Sequence, residues 1–183
     1  ETLDGLIKHN GPIKNLIPYK KILKENLFDK RIDFSTFPSL EAQVASISDD
    51  IAYNNHDLED GLRAGLFTIK KFGQIPFISR LIKKHLKNLK NFRKEIIINQ
   101  VVRSLINLMV VDVLNTTKKN LRKINPQSIN DIYRQGHLIV DFSEKMKILD
   151  KQIKGFLRHN MYNNKKVLVN TNRGEKIIKD LFK

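Results

Sequence analysis

The chain has 183 residues, 40% of them hydrophobic, enough for one sizeable core or at most two small ones. It has no cysteine, which excludes disulfides, thiolate metal sites and a cysteine nucleophile and fits a reducing, cytoplasmic compartment. A total of 34 Lys and Arg against 19 Asp and Glu gives a net charge of +15, read either as the mark of a polyanionic partner or as a solvated surface from biased residue usage.

No uninterrupted apolar run approaches the ~20 residues of a membrane span, no signal-peptide pattern opens the chain, and no membrane partner is expected. Glu1 reads as mid-helix, so the chain is expected to be a piece of something longer. Leu3, Leu6 and Ile7 have helical spacing, stopped by Gly11-Pro12. Residues 13–38 read as a loop with a helical turn or two around Tyr19 to Leu27. Ser39 is a candidate N-cap for a helix to about Asp60, ending near Gly61 or Gly65. Its apolar arc is Leu40, Val44, Ile47, Ile51, Leu58 and Leu62. Residues 66–78 read as a connection, Ser79–Leu89 as a basic amphipathic helix and Phe92–Leu121 as a long apolar-rich helix ending before Asn125-Pro126. A short helix follows at Ile129–Arg134, then helices over Ser143–Tyr162 and Lys165–Phe182, the last with a weak middle at Asn170–Gly174. The Leu138–Val140 run has β character but no second strand to pair with, so the expected class is all-α.

One segment departs from the basic character of the rest. No Lys or Arg lies between Arg31 and Arg63, while Asp33, Glu41, Asp49, Asp50, Asp57, Glu59 and Asp60 do. Asp49, Tyr53 and Asp57 are spaced i, i+4, i+8 and share one stripe of the helix, opposite the apolar arc; Asp60 extends it. Carboxylates four apart on a helix repel, and a cation, basic side chains or protonation relieves them. Oxygen ligands suit Mg²⁺ or Mn²⁺, and a phenol ring between two carboxylates offers a flat face with flanking acceptors for a sugar. The alternative is a solvated polar face whose acids pair with lysines; His56 reads as a surface histidine and His9 as a helix-end residue.

The stretch EAQVASISDDIAYNNHDLEDGLRAGL resembles bacterial deoxyguanosinetriphosphate triphosphohydrolase-like proteins of the HD-domain superfamily. ETLDGLIKHNGP at 1–12, VVRSLINLMVVDVLNTTKKNL at 101–121, FLRHNMY and IIKDLF extend the resemblance over most of the chain. The resemblance implies an all-α HD-type fold, here its C-terminal part. Residues 1–66 would be the remainder of the catalytic core and 67–183 a helical region packed on it. It implies metal-assisted hydrolysis of a deoxynucleoside triphosphate to deoxynucleoside and triphosphate. By the family motif D-x-x-x-Y-x-x-x-D, Asp49 is a metal ligand, with Asp50 ranked second. Tyr53 would lie under the deoxyribose and Asp57 near its 3′-hydroxyl. The H…HD ligands and the catalytic histidine of the family precede ETLDGLIKHNGP and have no counterpart here. No catalytic residue is therefore assigned, and the chain alone is expected not to hydrolyse nucleotides. Lys8, Lys70, Lys71, Arg93 and Arg103 are candidates for the triphosphate. Expected partners are the missing segment, a second copy of the chain and nucleic acid as a regulator. The rival reading is a basic nucleic-acid-binding module without catalysis, best carried by Ile78–Lys87.

Overall fold

Helix boundaries follow the punctuation of the chain. The computed structural model describes residues 2–15, 17, 32–88 and 93–182; the turn expected at Tyr19–Leu27 lies outside these. Helix α1 (Thr2–Lys8) closes at Gly11, whose N–H donates to the Lys8 carbonyl at 2.7 Å. Helix α2 (Leu40–Arg63) starts at Ser39, whose hydroxyl accepts from the Ala42 N–H at 3.4 Å. It ends in a Schellman turn. The Leu66 N–H donates to the Gly61 carbonyl and the Gly65 N–H to that of Leu62, with Gly65 at φ +67°, a conformation open to glycine.

The expected connection at 66–78 contains helix α3 (Ile69–Phe72), capped by the Thr68 hydroxyl. Helix α4 (Pro76–Asn88) starts three residues before the expected Ser79, because proline fits the first helical position, where no N–H is needed. Helix α5 (Lys94–Ile124) stops where Asn125 turns to φ +46° ahead of Pro126. Helix α6 (Ile129–Tyr133) carries a Ser128–Asp131 capping box. Helix α7 (Glu144–Leu157) does not run on to Tyr162 as an α-helix. Residues Arg158–Tyr162 widen into a π-helical turn closed by the Asn163 N–H on the Arg158 carbonyl. Helix α8 (Lys165–Leu181) is continuous through Asn170–Gly174 and buries no residue.

There is no strand among the described residues, and the all-α class holds. The Leu138–Val140 run turns instead of extending. Its Ile139 and Val140 N–H groups donate to the buried Gln43 side-chain carbonyl at 2.8 and 3.1 Å, which replaces a sheet partner.

The packing gathers into two compact units, each built from two stretches of chain: 1–50 with 110–143, and 51–109 with 144–183. In the first, Val113, Ile132, Ile139, Val140 and Phe142 are buried, and so is Gln43. Lys8 is buried beside them and fully satisfied. Its ammonium pairs with Asp4 at 2.6 Å, donates to the Thr36 hydroxyl at 2.8 Å and the Asp33 carbonyl at 3.2 Å, and faces the Tyr133 ring.

In the second unit, Leu58, Leu62, Phe72, Ile78, Ile98, Leu105, Met109, Ile153 and Leu157 make the core. Phe67 meets Phe156 edge to face at 4.8 Å and lies where a Cβ on Gly61 would be, 2.3 Å from the ring. By length and mean hydropathy (1.6 over its most apolar window) α5 could cross a bilayer, although it holds no uninterrupted apolar run of that length. Its Ile98, Val101, Val102, Leu105 and Met109 are buried in the second unit.

Candidate functional site

Helix α2 separates its faces much as its periodicity demands. Ile51, Leu58 and Leu62 are buried, and Leu40 and Ile47 partly so. Val44 departs from the arc and is 49% exposed. The inner face gains amides instead: Gln43, Asn54 and Asn55 are all buried. Asn55 donates to the Ile51 carbonyl at 2.7 Å, and Asn54 to Asp150 at 3.2 Å. The amide N–H groups of Gln43, Asn54 and Asn55 each find a partner, while among the described residues the Asn55 side-chain carbonyl is buried without one.

The opposite stripe faces outward. Asp49, Asp50, His56 and Asp60 are exposed, Tyr53 is 61% exposed and Asp57 is partly covered. Asp49 lines an open pocket of about 500 Å³ in the first unit, together with His9, Glu41, Ser39 and Ser46. The His9 ring bonds on both nitrogens within its own turn, Nδ1 to the Leu6 carbonyl at 2.8 Å and Nε2 to the Asn10 side chain at 2.9 Å. Nδ1 therefore carries the proton and Nε2 accepts, and His9 ends α1 as its sequence position indicates.

In the second unit Asp57 has a partner that lies far away in sequence. The hydroxyl of Tyr162, in the π-helical turn, donates to the Asp57 carboxylate. Partial burial, that hydrogen bond and the Asp57 charge push the Tyr162 phenol well above its ordinary range, with a smaller push from Tyr53. The phenol thus stays a neutral donor, and one Asp57 oxygen is held while the carboxylate remains partly open to solvent. The extra residue of a π-turn changes the direction in which following side chains leave the helix, which is how α7 delivers Tyr162 here. Nothing in the local sequence marks Tyr162 for this role, since its partner is supplied by tertiary structure.

Comparison with known proteins covers the whole chain. It is 46% identical over 182 residues to the deoxyguanosinetriphosphate triphosphohydrolase-like protein of Pelagibacter ubique. It is 39% identical over 189 residues to the protein of that name from Bartonella tribocorum, and 38% over 195 residues to that from Brucella ovis. The chain is related from end to end to deoxyguanosinetriphosphate triphosphohydrolase-like proteins. All of the chain is covered in each comparison, against 49%, 46% and 47% of the relative, so it spans about half the length of the relatives it matches. Residues 140–183, which include α7, the π-turn and α8, match the phosphohydrolase-associated domain family.

No three His, Asp or Glu side chains gather to hold a metal ion among the described residues. Asp49 offers one carboxylate on the surface, and a structural or catalytic ion takes three or more protein ligands in the usual case. The residues present therefore do not by themselves fit a resident metal. Of the cations considered for a triphosphate, Lys8 is withdrawn, because its ammonium is buried and spent on Asp4, Thr36 and backbone carbonyls. Lys70, Lys71, Arg93 and Arg103 are exposed.

Proposed function

We propose that α2 carries the sugar-recognising edge of a deoxynucleoside triphosphate triphosphohydrolase site. In this reading Tyr53 lies under the deoxyribose, Asp57 accepts a hydrogen bond from the 3′-hydroxyl and Asp49 gives one oxygen ligand to a Mg²⁺ or Mn²⁺. The remaining ligands come from a segment outside this chain that bears the H…HD set, and the chain alone does not turn over substrate. The observation that carries the reading is the outward stripe itself, three side chains at four-residue intervals on one helix, in a chain related along its full length to deoxyguanosinetriphosphate triphosphohydrolase-like proteins.

The chain's own chemistry is recognition. A phenol face packs against the apolar side of a sugar ring, and an adjacent carboxylate takes a hydroxyl proton. Tyr162 fixes one Asp57 oxygen, so the other is left to accept from substrate. A carboxylate already oriented loses less freedom on binding. The test is a chimera in which this chain replaces the matching half of the Pelagibacter relative, assayed for triphosphate release from dGTP with Mn²⁺. Asp57→Ala is expected to raise KM about 10-fold or more, as for loss of a charged hydrogen-bond partner. An unchanged KM would remove Asp57 from the site.

A further inference from the structure

The π-turn after α7 contains a buried side chain that the site itself does not use. Asn160 is 8% exposed, and its amide donates to the Phe156 carbonyl at 2.9 Å. In an ordinary α-helix that carbonyl takes the backbone N–H of residue 160. Phe156 is a fixed point. Its ring packs on Phe67 at 4.8 Å and on Phe72 at 5.4 Å, and the next residue, Leu157, is fully buried. Two residues beyond Asn160, the Tyr162 hydroxyl donates to Asp57. The other end of the Asn160 amide argues against a packing role, because its carbonyl oxygen is buried with no partner among the described residues. A leucine of similar size would fill the same space without that penalty. What a leucine cannot supply is the N–H bond to Phe156.

We propose that Asn160 is a positioning residue, which holds the π-turn through the Phe156 carbonyl, keeps the Tyr162 hydroxyl on Asp57 and so orients that carboxylate for a sugar hydroxyl. The last step rests on the sugar-binding reading above; the hold on Tyr162 does not. A π-turn adds one residue to the helical register, and one residue is worth about 100° of rotation. Return of Arg158–Tyr162 to α-helical register would therefore swing Tyr162 about that far round the helix and away from Asp57. The Asn160 amide opposes this return from inside the turn, with its acceptor on a residue anchored in the core.

The first experiment follows tyrosinate absorbance against pH in the 183-residue chain, in Asn160→Leu and in Asn160→Ser. Tyr162→Phe identifies the Tyr162 step, and helical circular dichroism at each pH checks that the chain is folded. Burial and Asp57 hold the Tyr162 phenol above its ordinary range, so its release moves the step to lower pH. Asn160→Leu is expected to bring the step down toward the ordinary phenol value of about 10. Asn160→Ser keeps a donor that reaches the carbonyl four residues back, and should restore the late step. A Tyr162 step left in place by Asn160→Leu, or lowered as far by Asn160→Ser, would overturn the proposal and make Asn160 a core residue only. The second experiment measures dGTP turnover by the chimera with the Pelagibacter half. Asn160→Leu should raise KM about 3-fold or more with kcat nearly unchanged, and should add nothing to Asp57→Ala. Effects on KM that add in full would overturn the link to the carboxylate. An Asp57→Ala variant with unchanged KM would overturn the sugar reading and the last step with it, and the titration then decides the hold on Tyr162 by itself.

Discussion

Tyr162 and Asp57 stand 105 positions apart and share one hydrogen bond, which makes the pair a sensitive reporter of the site. Burial and Asp57 raise the phenol's pKa, so folding favours the protonated form. The associated stability is fully present below the ordinary phenol value of about 10 and is lost as pH rises through the higher folded value. Absorbance titration at the tyrosinate band is expected to show a late step, absent in Tyr162→Phe and shifted to lower pH in Asp57→Ala. A late step surviving in Tyr162→Phe would assign it elsewhere. Lys8 makes a second residue-scale case. Lys8→Met should destabilise by about 3 kcal/mol in urea unfolding, because it strands the Asp4 carboxylate; Asp4→Leu added to it should recover part of the loss. Of these groups, the Asp49–Tyr53–Asp57 stripe was legible in the sequence, since helical period alone puts the three together. Tyr162 was not, because its partner lies on a distant segment; Lys8 stood among the candidates for the triphosphate although Asp4 lies one turn before it, because its burial and its bonds to Thr36 and the Asp33 carbonyl are set by packing against residues 33–37.

Helices were legible where caps and period agree. Ser39, Gly65 and Asn125-Pro126 each bound a helix for a local reason that residue type reveals. The departures arise where tertiary structure overrides that reading. Gln43 reads as a polar helix position, yet its buried amide holds two backbone N–H groups of the Leu138–Val140 run and so converts an apparent strand into a turn. Gln43→Leu is expected to cost about 2–4 kcal/mol, since both donors are then left buried and unpaired; a cost within ~0.5 kcal/mol would contradict this. The π-turn after α7 was equally hidden, as Arg158–Tyr162 carries no residue that forbids an ordinary helix. At the end of α2, Gly61→Ala should destabilise by about 1–3 kcal/mol, because Phe67 occupies the space a Cβ needs and is itself stacked on Phe156. Thermal melting of the two variants reads both costs.

Across the whole molecule, charge is segregated along the chain. An acidic α2 is followed by a basic stretch through α3, α4 and the start of α5, and the same net +15 contains both. The acids line a sugar- and metal-facing edge in our reading, and the bases of the following stretch leave Arg80, Lys83 and Lys84 exposed on α4. Overall composition could not reveal this division, but position along the chain does. The chain spans about half the length of its relatives, so the catalytic claim is decided in a completed protein. The most direct measurement is triphosphate release from dGTP with Mn²⁺ by the chimera with the remaining half of the Pelagibacter relative, with and without Asp49→Ala. The account predicts turnover by the parent chimera and a loss of about 100-fold or more in kcat for Asp49→Ala, as expected for a direct metal ligand when outer-shell partners alone are worth 10–100-fold. Turnover that survives Asp49→Ala unchanged would contradict it.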